Sequence, residues 1–169
     1  MFRYKIAVVV AAGTIACPAA PALSETPLPE AIAAPGETEI ARFHAEGAQV
    51  YGCKPGADGK LVWMFREPVA TLISNGKTAG RHYAGPVWEL ADGSAVAGKV
   101  VGRSPGLSPK DIPWLKLNVT SSTGKGQLSG ATTIQRIDTT GGIAEGTCGR
   151  QGEFLSVAYS AEYRFLKKN

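Results

Sequence analysis

Alternating apolar and polar positions recur along most of the chain and predict β-strands. Between residues 155 and 165 one face of the alternation carries six apolar or aromatic side chains: Leu155, Val157, Tyr159, Ala161, Tyr163 and Phe165. A period of two sustained over this length is typical of a half-buried antiparallel strand. The segment 115–119 repeats the pattern over a shorter distance. No stretch beyond residue 25 has a long helical period, so we expect a fold built from strands.

Turn signals separate the predicted strands. Asn75-Gly76 and Asp92-Gly93 each lie between apolar runs, and residues of these types accept the positive φ angles that tight hairpins need. The run 61–65, Leu-Val-Trp-Met-Phe, is apolar on both faces, so we expect it to be central and covered on both sides. Together these patterns predict an all-β fold, either a single antiparallel β-sandwich or a closed β-barrel, with little helix.

The N-terminus has the pattern of an export signal. Arg3 and Lys5 precede a mostly apolar run over residues 6–16, which is too short to form a stable membrane anchor. Residues 22–24, Ala-Leu-Ser, match the small-x-small pattern of a cleavage site. We therefore predict that residues 1–24 are a cleaved signal peptide and that the mature chain, without a transmembrane anchor, is periplasmic or extracellular.

We expect residues 25–38, rich in proline, alanine and glutamate, to be an extended N-terminal lead, and residues 39–169 to be a single β-rich domain.

Export also determines the expected state of the cysteines. Cys53 and Cys148 are the two cysteines that remain after processing, and an oxidising compartment predicts a disulfide between them. Neither has another cysteine or a histidine at metal-ligand spacing, so no metal site is predicted.

Charge and motifs argue against several functional classes. The net charge is +4, and beyond the signal the only basic cluster is Lys167-Lys168, so nucleic-acid binding is not predicted. No dinucleotide fingerprint or zinc-protease motif occurs, and we expect no cofactor. Residues 102–106 match the G-x-S-x-G nucleophile motif. However, Pro105 lacks the N–H that the oxyanion hole requires, and no histidine follows.

Residues 80–89, GRHYAGPVWE, hold the side chains best suited to chemistry. His82 is close in sequence to Glu89 and Asp92, and a histidine beside either carboxylate can act as a general acid or base. The alternative is architectural: a strand bent at Gly85-Pro86, because proline in a sheet belongs at an edge or a bulge. In that case Trp88 would be in the core and the histidine hydrogen-bonded near a rim. We favour the architectural interpretation, since catalysis by a charged pair needs a third, positioning group.

The tryptophans allow an interpretation between these two, a binding site. Small-molecule and sugar sites combine aromatic side chains with a few polar partners. Trp114 follows the loop 104–113 and is a candidate for a pocket wall, whereas Trp88 could belong to the core or to a site. The candidate ligand-binding residues are therefore His82, Trp88 and Trp114.

Four motifs together resemble one known family. They are Q-x-Y-x-C from residue 49, H-x-x-G-P-x-W-E from residue 82, D-G-S-x-V from residue 92 and D-I-P-W-L from residue 111. The chain from about residue 39 to 168 is similar to the secreted bacterial and fungal proteins known as domain of unknown function 3455. The resemblance implies export and one compact β-rich domain. It implies no particular activity, substrate or catalytic residue.

Three functions follow as hypotheses. We favour an exported β-domain that binds a small molecule or glycan without catalysis. The second hypothesis is a hydrolase or lyase that uses His82 with a nearby carboxylate, and the third is a structural envelope component. A deep pocket shared by His82 and Trp114 would support the first two, whereas the absence of any pocket would support the third.

Overall fold

The computed structural model describes residues 27–169. The predicted signal peptide, residues 1–24, therefore lies outside the described residues. Within residues 27–169, no helix has the length and apolar character needed to cross a membrane.

Eight antiparallel strands form a closed barrel. Their bounds are β1 (Glu37–Pro55), β2 (Leu61–Ser74), β3 (Lys77–Tyr83), β4 (Val87–Leu90), β5 (Ala95–Ser104), β6 (Trp114–Thr123), β7 (Thr133–Gly141) and β8 (Phe154–Lys168). The helical content of the described chain is one short 3₁₀ turn, Glu30–Ile32. The predicted all-β class with little helix is confirmed, and the architecture is the closed barrel rather than the sandwich.

Each strand pairs with its neighbour along the chain, and β8 closes the barrel against β1. Both predicted hairpin turns are present. Asn75 and Gly76, which join β2 to β3, have φ angles of 50° and 71°, and Gly93, between β4 and β5, has a φ of 82°. The positive φ values explain why asparagine and glycine occur at these positions.

The alternation predicted for the last strand is confirmed. Tyr159, Ala161, Tyr163 and Phe165 of β8 are buried inside the barrel, whereas the residues between them lie on the outer face. At one end of the barrel the Phe165 ring packs edge-on against Phe43 of β1, with ring centroids 5.9 Å apart. This packing fills one end of the interior. An eight-stranded barrel leaves room for such filling or for one small ligand.

The expectation that residues 61–65 would be covered on both faces was wrong. Met64 is 38% exposed and Phe65 is 55% exposed. The cause is the unequal length of the paired strands: this part of β2 pairs with β1, whereas β3 reaches only residues 70–74 of β2. The first half of β2 thus extends past the neighbouring strand. Met64 is left open to solvent on one face, and Phe65, which packs on Tyr51 at the cavity, is left open on the other.

Residues that precede β1 pack on the outside of the barrel. Ile32 is fully buried there, and its carbonyl accepts a 2.7 Å hydrogen bond from Gln135 Nε2 of β7. Lys116 Nζ of β6 likewise donates to the Ala33 carbonyl at 2.7 Å. A side chain at Gly102 would collide with the backbone of this segment. The glycine that opens the G-x-S-x-G match is therefore explained by close backbone approach.

Candidate functional site

A cavity of about 570 Å³ opens at the end of the barrel opposite the Phe43–Phe165 packing. Its apolar walls include Trp88, Val100, Ile112, Leu115, Leu117 and Ile143. Its polar and charged lining includes Gln49, Arg66, His82, Arg103, Arg136 and Tyr163. No aspartate or glutamate is among the described residues that line it. The cavity thus combines apolar surface with positive charge.

His82 and Trp88 meet in the wall of this cavity. They are direct cross-strand partners on β3 and β4, and their rings stack with centroids 4.3 Å apart and an interplanar angle of 9°. The turn at residues 84–86, which contains a cis Gly85–Pro86 peptide, separates the two strands as the sequence indicated. Residues directly opposed in an antiparallel pair share a face. His82 is therefore buried beside Trp88, and its expected place near a rim was wrong.

Burial determines the protonation state of His82. The ring Nδ1 lies 2.8 Å from the carbonyl oxygen of Val87, and because a carbonyl only accepts, Nδ1 carries the proton. Burial lowers the pKa of His82 to about 4, despite the opposing effect of the Val87 hydrogen bond. At neutral pH the imidazole is therefore uncharged, and Nε2 is a hydrogen-bond acceptor.

The lowered pKa predicts a dependence of stability on pH. The unfolded chain takes up a proton at the ordinary histidine pKa of 6.5, whereas the folded protein resists protonation until the pH reaches about 4. The free energy of unfolding should therefore fall as the pH decreases from 6.5 to 4, by about 3 kcal/mol from this group. Urea denaturation at pH 7, 5.5 and 4 measures the effect. His82→Asn, which keeps a donor near Val87, should show a smaller fall, and an equal fall in both proteins would contradict this assignment.

Glu89 lies on the opposite face of the sheet from His82. Adjacent residues of a strand point to opposite sides, and Glu89 follows the inward-facing Trp88. Its carboxylate accepts hydrogen bonds from the Tyr83 hydroxyl at 2.7 Å and from Arg81 Nη2 at 3.0 Å. These two bonds lower the pKa of the Glu89 carboxyl. The structure therefore does not bring together the histidine and carboxylate that the catalytic hypothesis needs.

Trp114 does not line the cavity, although Pro113 and Leu115 on either side of it do. It is the first residue of β6 and is half-buried, but it is not among the described residues that line the cavity. Its indole Nε1 is buried without a hydrogen-bond partner in the structure. Of the three candidate ligand-binding residues, His82 and Trp88 thus share one site, and Trp114 does not join them.

Sequence reasoning missed two polar residues inside the barrel. Arg136 of β7 directs Nε and Nη2 to the carbonyl oxygen of Pro113, at 3.1 and 2.8 Å. Gln49 of β1 is 2% exposed, and its Nε2 makes no hydrogen bond. Polar residues within a strand are normally assigned to the outer face, so the alternation pattern hid both. The one available signal was the position of Gln49 at the start of the Q-x-Y-x-C motif.

A buried tyrosine pair lies beside these polar residues. The hydroxyl oxygens of Tyr159 and Tyr163 are 3.4 Å apart. Burial raises the pKa of both phenols, so they are neutral at physiological pH. The Arg136 guanidinium opposes this rise for Tyr163, because a nearby positive charge favours the phenolate. The pair thus adds hydroxyl groups, but no negative charge, to the interior.

The predicted disulfide is present and supports the loop at the cavity. Cys53 of β1 bonds to Cys148, which lies between β7 and β8. The same loop contains Ile143, which lines the cavity, and Gly142, whose carbonyl accepts a 2.7 Å hydrogen bond from the Tyr51 hydroxyl. The disulfide therefore links the loop beside the cavity to β1. In the part of the chain that the structure describes, no cluster of three metal-ligating side chains occurs.

Comparison with known proteins identifies one family. A family model described as "Protein of unknown function (DUF3455)" matches residues 34–167 of the chain. The resemblance found in the sequence motifs is thereby confirmed. No curated protein and no solved structure matches the chain.

Proposed function

We propose that this chain, which belongs to the DUF3455 family, binds a small molecule in the cavity of its barrel and does not alter it chemically. The observation that carries the proposal is a cavity of about 570 Å³ with largely apolar walls and a few convergent polar groups. Ligand sites typically have volumes of about 300–1,000 Å³ and this kind of lining. The proposed setting is outside the cytoplasm, with which the disulfide between Cys53 and Cys148 is compatible.

The chemistry of the cavity favours binding over catalysis. An efficient general base has a pKa near the working pH, whereas the pKa of His82 is lowered to about 4 by burial. The histidine hydrogen-bonds to the Val87 carbonyl, not to a carboxylate that would stabilise its protonated form. We therefore prefer a binding protein to a hydrolase or lyase.

The walls also favour an apolar ligand over a glycan. A sugar presents hydroxyl groups on most sides, and each one buried without a partner costs free energy. The walls formed by Val100, Leu115 and Leu117 provide no such partners. A purely structural envelope component is the third hypothesis. It would need no open interior, because an eight-stranded barrel can be filled completely by its own side chains.

Filling the cavity should abolish binding of a neutral apolar probe. Val100 lines the cavity, whereas its neighbour Val101 is 53% exposed on the outer face. We expect N-phenyl-1-naphthylamine to bind the wild-type protein with increased fluorescence, because it is apolar and uncharged. Val100→Phe should weaken its binding by about tenfold or more, ~1.4 kcal/mol, whereas Val101→Phe should leave binding unchanged. Thermal melts of both variants establish that they are folded.

Two results would contradict the proposed function. One is that the wild-type protein binds neither this probe nor the small acids and amides described below, so that the cavity does not accept apolar molecules. The other is that the two valine variants bind the probe equally, in which case the fluorescence reports on another surface.

A further inference from the structure

We propose that the ligand is an organic anion, with an apolar body in the barrel and one oxyanion group, such as a carboxylate, bound by Arg136. The inference rests on the proposed function, because it names the chemical class of ligand for the same cavity. Three features of the described residues carry it: the charge of the lining, the unpaired hydrogen-bond donors, and the shape of the apolar walls.

The charge of the lining is positive and incompletely balanced. Three arginines and no carboxylate line the cavity in the described chain. Arg66 Nε lies 2.9 Å from Glu67 Oε1, so the Glu67 carboxylate balances the charge of Arg66. Arg103 is exposed to solvent. Arg136 is half-buried. Among residues 27–169 its guanidinium donates to the neutral Pro113 carbonyl and lies beside the neutral Tyr163 hydroxyl, so neither partner carries a negative charge. Because buried charges are normally paired, the guanidinium of Arg136 is suited to an external anion.

Unpaired donors add to this preference. Gln49 Nε2 and Trp88 Nε1 are both buried without hydrogen-bond partners, and both side chains line the cavity. The Gln49 amide lies near enough to the Tyr159 hydroxyl to lower its pKa, but its Nε2 lacks a partner with full hydrogen-bond geometry. An amide N–H and an indole N–H require acceptors. An oxyanion offers acceptors only, so it matches these groups better than an amine or an alcohol would.

The lining also carries neutral acceptors, among them His82 Nε2, but these do not reverse this balance. Neutral imidazole accepts a single hydrogen bond through Nε2 once Nδ1 is bonded to Val87. A ligand hydroxyl or a water molecule can satisfy it. We therefore assign the oxyanion to Arg136 and Gln49, and we leave the lone pair of His82 to a ligand hydroxyl or a water molecule.

The apolar walls set the form of the rest of the ligand. Val100, Leu115, Leu117 and the Trp88 ring provide continuous hydrocarbon surface. A cavity of about 570 Å³ has room for a two-ring aromatic acid or an alkyl acid of medium length. Both carry the same headgroup on different apolar bodies. They are therefore the two arms of the test.

The test compares each acid with its uncharged amide. Calorimetric titration of the folded wild-type protein with 2-naphthoate and 2-naphthamide, and with decanoate and decanamide, measures the preference for charge. We expect at least one acid to bind about tenfold more tightly than its amide. Arg136→Gln should remove this preference, and Arg136→Lys, which keeps the charge, should retain part of it. Arg81→Gln is the control, because Arg81 pairs with Glu89 on the outer face.

Binding of neutral N-phenyl-1-naphthylamine distinguishes a failure of the anion inference from a failure of the proposed function. If the wild-type protein and Arg136→Gln bind this probe but acids and amides bind the wild type equally, the anion inference is wrong and the proposed function stands. A preference for the acid that survives in Arg136→Gln also overturns it, because the charge would then be recognised elsewhere. If neither the probe nor any acid binds the wild type, the proposed function fails as well.

Discussion

Trp88→Ala is expected to lower the free energy of unfolding by about 3–5 kcal/mol, the range for removal of a large buried aromatic side chain. Trp88 is 1% exposed. Its ring stacks on His82 and packs edge-on against Tyr163 and Phe165, with centroids 5.3 and 6.1 Å away. Alanine would lose all three ring contacts and leave a void in the barrel. Urea denaturation at pH 7, followed by circular dichroism, measures the loss.

The same substitution at Trp114 provides the matched control. Trp114 is half-buried at the start of β6, so Trp114→Ala should destabilise the protein less than Trp88→Ala. His82→Ala should also cost less than Trp88→Ala, because it removes a smaller ring. Equal losses at all three positions would show that the ring cluster has no special place in the core. If His82→Ala lowers the stability as much as Trp88→Ala while Trp114→Ala does not, the main role of His82 is structural.

Removing the disulfide is expected to have an effect of similar size. The double variant Cys53→Ala/Cys148→Ala should be less stable than the oxidised protein by about 4–5 kcal/mol on the chain-entropy model. The large value follows from the sequence separation of 95 residues, since a long closed loop restricts the unfolded chain strongly. Urea denaturation under non-reducing conditions gives the difference.

Reduction supplies the control for that experiment. Dithiothreitol should lower the stability of the wild-type protein to about that of the double variant, and it should leave the double variant unchanged. Equal stability of the oxidised protein and the double variant would show that the bond does not restrict the unfolded state as expected. A reductant effect on the double variant would point to a cause other than Cys53–Cys148.

Local patterns were sufficient to predict the strands and the hairpin turns. The alternation in β8 follows from the period-two geometry of a single strand, and the turn at Asn75-Gly76 follows from the φ preferences of two residues. The choice between sandwich and barrel was not local. It depends on the pairing of β1 with β8, which lie at opposite ends of the domain, and no pattern within either strand specifies that pairing.

The site was predictable only in part for the same reason. His82 and Trp88 lie close in sequence, so a hairpin could bring them together. Arg136 and Gln49 come from β7 and β1, which do not pair with the strand of His82, and all three side chains meet only at the cavity inside the barrel. Glu89 shows that closeness in sequence does not place two side chains in one site. It follows the inward-facing Trp88 directly, so it faces outward, where it pairs with Arg81.

Closure of the barrel by β1 and β8 also bears on how the protein avoids aggregation. An open sheet ends in strands whose free N–H and C=O groups can recruit the strand of another molecule. Here β1 pairs on both sides, with β2 and with β8. Phe154 is 62% exposed, but the backbone of its strand is hydrogen-bonded to β1. Where neighbouring strands pair, apolar side chains are thus presented without the unpaired edge needed to extend a sheet from one molecule to the next. Exceptions include β2 before residue 70 and β8 before residue 159, which extend past β3 and β7.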